Sequence, residues 1–309
     1  MNFADPGEIL VMSRGAYGRR IAYFIVTTVV VIWGTVLAVR FMFASPWNLA
    51  YVVPIAFIAN AIGVNTAYHM YFTHGAFQAK APFRVVLAVF GTILCQDSLI
   101  QWVANHKRHH RHVDVPDRDP HTPWQFGESK WRVYTVGLLW ASVGWKYARR
   151  STSKTFYAGS LLKDPVLRFF DKHFVVVSYL GLVVPFAVGY ALGGWQAGLK
   201  GFAYFGAFRV FVGYAFTELV INGFCHCVGS RKFATKGLAT NIPSLAMLSM
   251  GTTLHHNHHA FPQSLSTAVD GETDPMQWIN GFFAKCGWIS SAVHPSAAEV
   301  AAKKLAEAI

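Results

Sequence analysis

The chain has 309 residues, 53% of them hydrophobic and only 14% charged, a balance too apolar for an ordinary soluble globule of this length. Four cysteines, Cys95, Cys225, Cys227 and Cys286, make no paired framework and argue against a secreted disulfide scaffold. A formal net charge of +12 could signal nucleic acid, but in a membrane protein it reflects Lys and Arg gathered on cytoplasmic loops beside anionic lipid, so no nucleic-acid partner is expected.

In chain order, residues 21–39 (IAYFIVTTVVVIWGTVLAV) carry no charge and meet the length of one bilayer crossing. A signal peptide would need a small-residue cleavage site before the next apolar run; none is present, so the helix reads as retained. From Phe41 to Ala79 there is no Lys, Arg, Asp or Glu, which allows a turn at SPWN and a second crossing from about Leu49 to Tyr71. The basic region from Lys107 to Lys172 holds thirteen Lys and Arg against six Asp and Glu, which places it, and both termini, on the cytoplasmic side. Within it, residues 131–145 (WRVYTVGLLWASVGW) read as an interfacial helix. A third crossing over residues 174–194 and a turn at WQAGLK lead to a fourth over 201–221, which carries Arg209 and Glu218. Ionisable groups at membrane depth either serve function or snorkel to an interface. The final stretch, PSAAEVAAKKLAEAI, reads as a small terminal helix.

Fourteen histidines punctuate this map, and most fall in groups at the cytoplasmic ends of the spans. His69 and His74 form HxxxxH; His106, His109 and His110 form HxxHH, as do His255, His258 and His259; His226 follows the fourth span. Positions i, i+3 and i+4 share a helix face, so each HxxHH is expected to aim three imidazoles at one place. Five residues do not return to one face, so His69 and His74 are expected to straddle a helix end. Clustered imidazoles would repel if protonated and are most simply held neutral by metal, and nine exceed what one ion needs. For these groups to meet, residues 83–104 (FRVVLAVFGTILCQDSLIQWVA) cannot cross the membrane; they must dip in and return or lie embedded, with Gln96, Asp97, Ser98 and Gln101 giving the polarity of a cavity wall.

The ordered set of motifs resembles the membrane-bound fatty acyl desaturases, in particular the delta-9 acyl-CoA desaturases and their bacterial relatives. Besides the three histidine boxes, the family's NxxxHxxGxR appears as Asn222, His226, Gly229 and Arg231, and its DPH as Asp119, Pro120 and His121. The likeness covers roughly residues 20–262. It implies an all-α, multi-pass membrane protein with four transmembrane helices and a cytoplasmic helical cap. The chain then forms a single domain over 1–309, with a core of about 20–262 and a C-terminal cytoplasmic tail from 263 to 309.

The resemblance also implies a site. Two Fe ions would be bound by His69, His74, His106, His109, His110, His226, His255, His258 and His259, with Asn222 holding a metal-bound water. Gln96, Trp102 and Thr217 would border a bent acyl tunnel. The chain departs from the pattern at Met70, where relatives have Arg, at His256, where they have Asn, and at Thr217 and Glu218, which replace a Thr-Trp pair with one extra residue before Asn222. The loop between His110 and the DPH also runs one residue longer. His112 and His121 read as supports for ligands or as loop residues, and His173 and His294 as ordinary surface residues.

Removing hydrogen from an unactivated methylene exceeds any side chain, so the metal must carry that step; iron can activate oxygen and zinc, lacking redox chemistry, cannot. The expected activity is oxygen-dependent insertion of a cis double bond into an acyl chain carried on coenzyme A, a carrier protein or a lipid. Two electrons would come from an external donor of ferredoxin, rubredoxin or cytochrome b5 type, since no haem segment is fused here. The expected location is the inner membrane of a bacterium or the endoplasmic reticulum of a eukaryote. Hydroxylation or acetylenic bond formation on the same scaffold is the first alternative. A membrane metal transporter is a distant one, because its ligands should lie halfway through the spans.

Overall fold

The computed structural model describes residues 7–305, which form two compact units. One contains the described part of Met1–Val64 with Val85–Trp102 and Arg149–Ala215; the other contains Asn65–Arg84, Val103–Ala148 and the chain from Phe216 onward. The chain is mostly helical, but two short antiparallel strand pairs amend the all-α expectation: Ile9–Val11 with Arg150–Thr152, and Gln78–Ala79 with Ile289–Ser290.

The first unit is built from apolar helices. Arg14–Ala44 starts where the Ser13 hydroxyl accepts the Ala16 N–H at 3.3 Å, relieving one of the orphan donors of a helix start. Among the described residues, three helices are long and apolar enough to cross a membrane: Arg14–Ala44, Pro46–Thr73 and Phe174–His226. The third is not a rod. Gly193 and Gly194 leave helical geometry, Gly194 at φ 71°, where a side chain would be strained. The chain folds back there, so that a Cβ on Gly201 would collide with the Pro185 carbonyl and one on Gly189 with that of Ala197. The expected third and fourth spans are therefore two antiparallel arms, and the break lies at Gly193–Gly194 rather than at WQAGLK, which is helical.

Val31, Cys95, Leu182 and Val210 pack into one core cluster, and Ala38, Met42, Val52, Ala203 and Tyr204 into another. Elsewhere these helices expose Val29, Trp33, Val36, Val183 and Leu192, an apolar outer face that suits lipid and not water.

The stretch expected to dip and return is a helix, Ala81–Thr92, then a break, then a second helix, Leu99–His112. Within the break Cys95 has φ 61°, and non-helical backbone amid apolar helices needs its polar groups satisfied from nearby. Buried Arg209 supplies donors, with Nη2 reaching the carbonyls of Ile93 and Gly181 at 3.1 Å each and Nε that of Phe205 at 2.7 Å. The Tyr214 and Tyr23 hydroxyls both donate to the Cys95 carbonyl, at 2.6 and 3.3 Å. Arg209 thus turns its guanidinium to buried carbonyls, that of Ile93 in the break among them, rather than toward an interface.

In the second unit, the helix over Lys130–Ser142 exposes Trp131, Val136 and Leu139, the face of an interfacial helix. The terminal helix Ala297–Lys303 begins with a capping box between Ser296 and Glu299 and buries Val300 against Phe233, Ala260 and Phe261. The last four residues of the expected helix lie outside the described residues.

A side chain at Gly201 should disrupt the antiparallel arms. Gly201→Leu is expected to lower stability by about 1–3 kcal/mol, the usual range for overpacking. Gly281→Ala, where a Cβ meets nothing within 4 Å, should leave it unchanged or slightly raised. Thermal unfolding of the two variants in detergent checks this.

Candidate metal centre

All nine imidazoles named above lie in the second unit, and the structure brings them together in two groups. His69, His74, His106, His110 and His258 form one; His109, His226, His255 and His259 form the other; within each, the candidate ligand atoms lie within 4.8 Å of one another.

Local geometry explains the membership. The stretch Ala61–Thr73 is a π-helix, and the His74 N–H donates to the His69 carbonyl at 3.1 Å, an i to i+5 bond. The wider turn brings a five-residue spacing back to one face, so the two rings sit 4.9 Å apart. His74 lies just past the helix end, as expected of a pair straddling it. The HxxHH boxes behave differently from expectation: each divides between the groups. On Leu99–His112, His106 and His110 face the first group and His109 the second; on His255–Ala260, His258 faces the first group and His255 and His259 the second. At about 100° per residue, i and i+4 lie about 40° apart while i+3 projects about 60° to the other side, so each box straddles two centres.

The ring nitrogens approach closely. In the first group Nε2 atoms lie 2.9 Å apart for His69 and His258, 2.9 Å for His258 and His110, and 3.0 Å for His110 and His106. In the second they lie 3.0 Å apart for His226 and His255, 3.0 Å for His255 and His259, and 3.2 Å for His259 and His109. A neutral ring has one N–H, and in two of these rings it is committed elsewhere: the Nδ1 of His109 meets Asp119 Oδ2 at 2.8 Å and that of His226 meets Asp114 Oδ1 at 3.0 Å. The Nε2 of each then presents only a lone pair to its neighbours. Buried His74 Nε2, furthermore, has no hydrogen-bond partner among the described residues. Ring nitrogens converging at this spacing, two of them with Nδ1 fixed on carboxylates, suit cations, so the donor set fits metal.

The electrostatics agree. Burial first, and then mostly neighbouring imidazoles, holds His74, His106, His110, His255, His258 and His259 well below the ordinary range; burial also lowers His109, against the opposing pull of Asp114. These rings are neutral, and so available as ligands, at physiological pH. Burial would raise Asp114, but the charge and hydrogen bond of His226 outweigh it and keep the carboxyl below its usual value.

The supporting carboxylates were only half visible in the sequence. Asp119 stands in the DPH motif, and its other oxygen accepts the His121 N–H at 3.1 Å. Asp114, at φ 61°, also accepts from the Leu238 N–H at 2.7 Å and the Thr122 hydroxyl at 3.2 Å, and no sequence signal marked it. His121 stacks on His109 with ring centroids 4.5 Å apart, and burial pushes it down to about 3.

His256 is no member of either group. Its Nε2 accepts the Phe233 N–H at 2.9 Å and its ring stacks on Phe233, away from the centre. The neighbouring Asn257, overlooked in the sequence, bonds Asn241, the Thr267 carbonyl and Glu272, and so pins the short histidine helix.

Asn222 follows a π-helical stretch, Ala215–Ile221, and its side-chain N–H donates to Glu218 at 3.0 Å. Thr217 lies half-buried in that stretch, its carbonyl accepting the Asn222 N–H at 3.0 Å. In the other unit, Gln96 is buried with its amide donating to the Gly213 carbonyl at 3.1 Å, and the Trp102 indole reaches Gln96 Oε1 at 3.4 Å.

Residues 71–267 match the family model for fatty acid desaturase. The chain is 29% identical over 294 residues to a hex-5-enoyl-[acyl-carrier protein] acetylenase of Moorena producens (strain JHB), covering 94% of this chain and 91% of that one. It is 28% identical to an sn-1 stearoyl-lipid 9-desaturase of Anabaena variabilis, covering 72% and 75% of the two chains. It is 26% identical to an acyl-CoA Delta(11) desaturase of Spodoptera littoralis, covering 75% and 67%.

Asp119→Asn should loosen His109 and weaken metal uptake about 10- to 100-fold, the usual effect of removing a partner that orients a ligand. His256→Asn should keep the wild-type metal stoichiometry; metal titration of the stripped protein separates the two. Because the folded-state values of His74, His106, His109, His110, His255, His258 and His259 lie below that of an unfolded chain, about 6.5, the unfolded chain takes up protons at these seven rings first on acidification. Stability of the metal-stripped protein is therefore expected to be full above about pH 6.5 and to fall below it; thermal melts across that range, with a flat profile as the contrary result, check the sign.

Proposed function

The chain belongs to the fatty acid desaturase family, oxidoreductases that introduce double bonds into fatty acyl chains, and on that premise we propose that it is an oxygen-dependent di-iron desaturase forming a cis double bond. The observation that carries this reading is the meeting of nine imidazoles in groups of five and four. Membership of an enzyme family sets aside the metal transporter.

When bound, two irons would supply the oxidising power that lets O2 accept hydrogen from an unactivated methylene pair. Overall, –CH2–CH2– plus O2, two electrons and two protons gives –CH=CH– and two waters. The electrons come from an external one-electron carrier of ferredoxin, rubredoxin or cytochrome b5 type. His69, His74, His106, His110 and His258 would hold one iron, and His109, His226, His255 and His259 the other, with Asn222 holding a metal-bound water. Asp114, Asp119 and Asn65 orient rings by accepting at Nδ1, the Asn65 contact to His69 being 3.3 Å. Gln96, Trp102 and Thr217 are proposed as acyl-chain contacts, and holding the chain in one position is what would select a single carbon pair.

The two arms around Gly193–Gly194 bring the proposed number of membrane crossings to four, with the basic region and the imidazoles on the cytoplasmic face. This is supported by the excess of Lys and Arg between Lys107 and Lys172. The whole chain is read as one desaturase domain.

A second reading has a specific observation behind it. The acetylenase relative matches nearly the full length of this chain, and a triple bond is what the same oxidant makes when an alkene is held in the place of an alkane. The carrier is similarly open among acyl-carrier protein, lipid and coenzyme A, since the three relatives differ in it.

The test is product analysis by mass spectrometry in a host expressing the full chain, fed saturated and monounsaturated acyl chains. A product lacking two hydrogens from the saturated chain is expected, and lost when His226 is changed to Ala. Oxygen incorporated into the product, or turnover of the alkene alone to an alkyne, would replace the desaturase reading with the corresponding alternative.

A further inference from the structure

The buried pair Lys146 and Glu218 has no part in the reading above. Each residue is 3% exposed, and Nζ lies 2.8 Å from Oε1. Burying two charges costs several kcal/mol per ion before their attraction is counted, and an apolar pair of similar size is often as stable, so stability alone does not explain the pair. Its other contacts are more informative. Glu218 Oε2 accepts from the Trp145 indole N–H at 3.3 Å and from the Asn222 amide N–H at 3.0 Å, while the Lys146 ammonium stands 4.4 Å from the Trp145 ring centroid.

An asparagine amide is nearly symmetric in shape but opposite in chemistry at its two ends. A carboxylate can only accept, so the end of Asn222 that rests on Glu218 must be the NH2 group. We propose that Glu218 is a positioning residue: held by Lys146 and Trp145, its carboxylate fixes the Asn222 amide so that Oδ1 is left to accept from the metal-bound water. The inference rests on the reading of Asn222 as holder of that water. It gives Glu218, where the resemblance expects an aromatic residue, a reason to be charged, and Lys146 a reason to accompany it.

Two double variants separate the acceptor from the charge. K146M/E218Q removes both charges and keeps an amide oxygen where Oε2 stood; K146M/E218L removes the charges and the acceptor together. The metal-stripped full chain in detergent is titrated with Co(II), followed by its visible absorption. Wild type is expected to take up two equivalents, K146M/E218Q to match it, and K146M/E218L to bind the first equivalent normally but the second about 10- to 100-fold more weakly. Equal binding in both variants, whether unimpaired or impaired, would overturn the role, as would loss in K146M/E218Q alone. Fewer than two equivalents in wild type would overturn the two-metal assignment and this inference with it, a failure told apart by the wild-type curve itself.

Discussion

The structure depends on nine imidazoles brought together in two groups, with ring nitrogens of neighbouring members about 3 Å apart. His226 and His109 commit their Nδ1 protons to Asp114 and Asp119, and their Nε2 lone pairs then face other imidazoles about 3 Å away. Burial holds His109 and most of the imidazoles around it well below the ordinary range, so those rings stay uncharged. A cation in each group would be met by ring nitrogens already converging, so the surrounding fold can be understood as the means of holding nine rings at that spacing.

Several departures from regular structure serve that end. The π-helical turn after Asn60 returns His74 to the face of His69, which an α-helix would not do. The break between Thr92 and Leu99 starts a second helix, Leu99–His112, on which the HxxHH histidines lie, and Arg209 with Tyr214 and Tyr23 satisfies the carbonyls exposed by that break. An arginine in an apolar helix is expensive, and here its hydrogen bonds to the Ile93 and Gly181 carbonyls offset part of that cost.

Much of this was legible in the sequence. Uncharged runs gave the apolar helices, the need for the histidines to meet required the interrupted stretch after Phe83, and the spacing of the boxes named eight of the converging rings, with His226 added by its place after the fourth span and by the NxxxHxxGxR motif. What could not be read depended on geometry that composition does not encode. An HxxHH pattern looks like three ligands for one ion, because the pattern does not say where two centres lie around the helix. Asp114 sits in a loop with no motif, and its role depends on a left-handed backbone that turns its carboxylate to His226. His256 stands inside the second HxxHH box, yet it faces Phe233, a contact 23 residues away in the chain. Glu218 could be flagged as a buried charge, but its partner Lys146 belongs to a distant segment.

The central claim, two irons held by two sets of imidazoles, is tested most directly by elemental analysis of the full chain purified from cells supplied with both iron and zinc. The account expects two iron atoms per chain and little zinc. A chain carrying zinc alone, or a single metal atom, would contradict it.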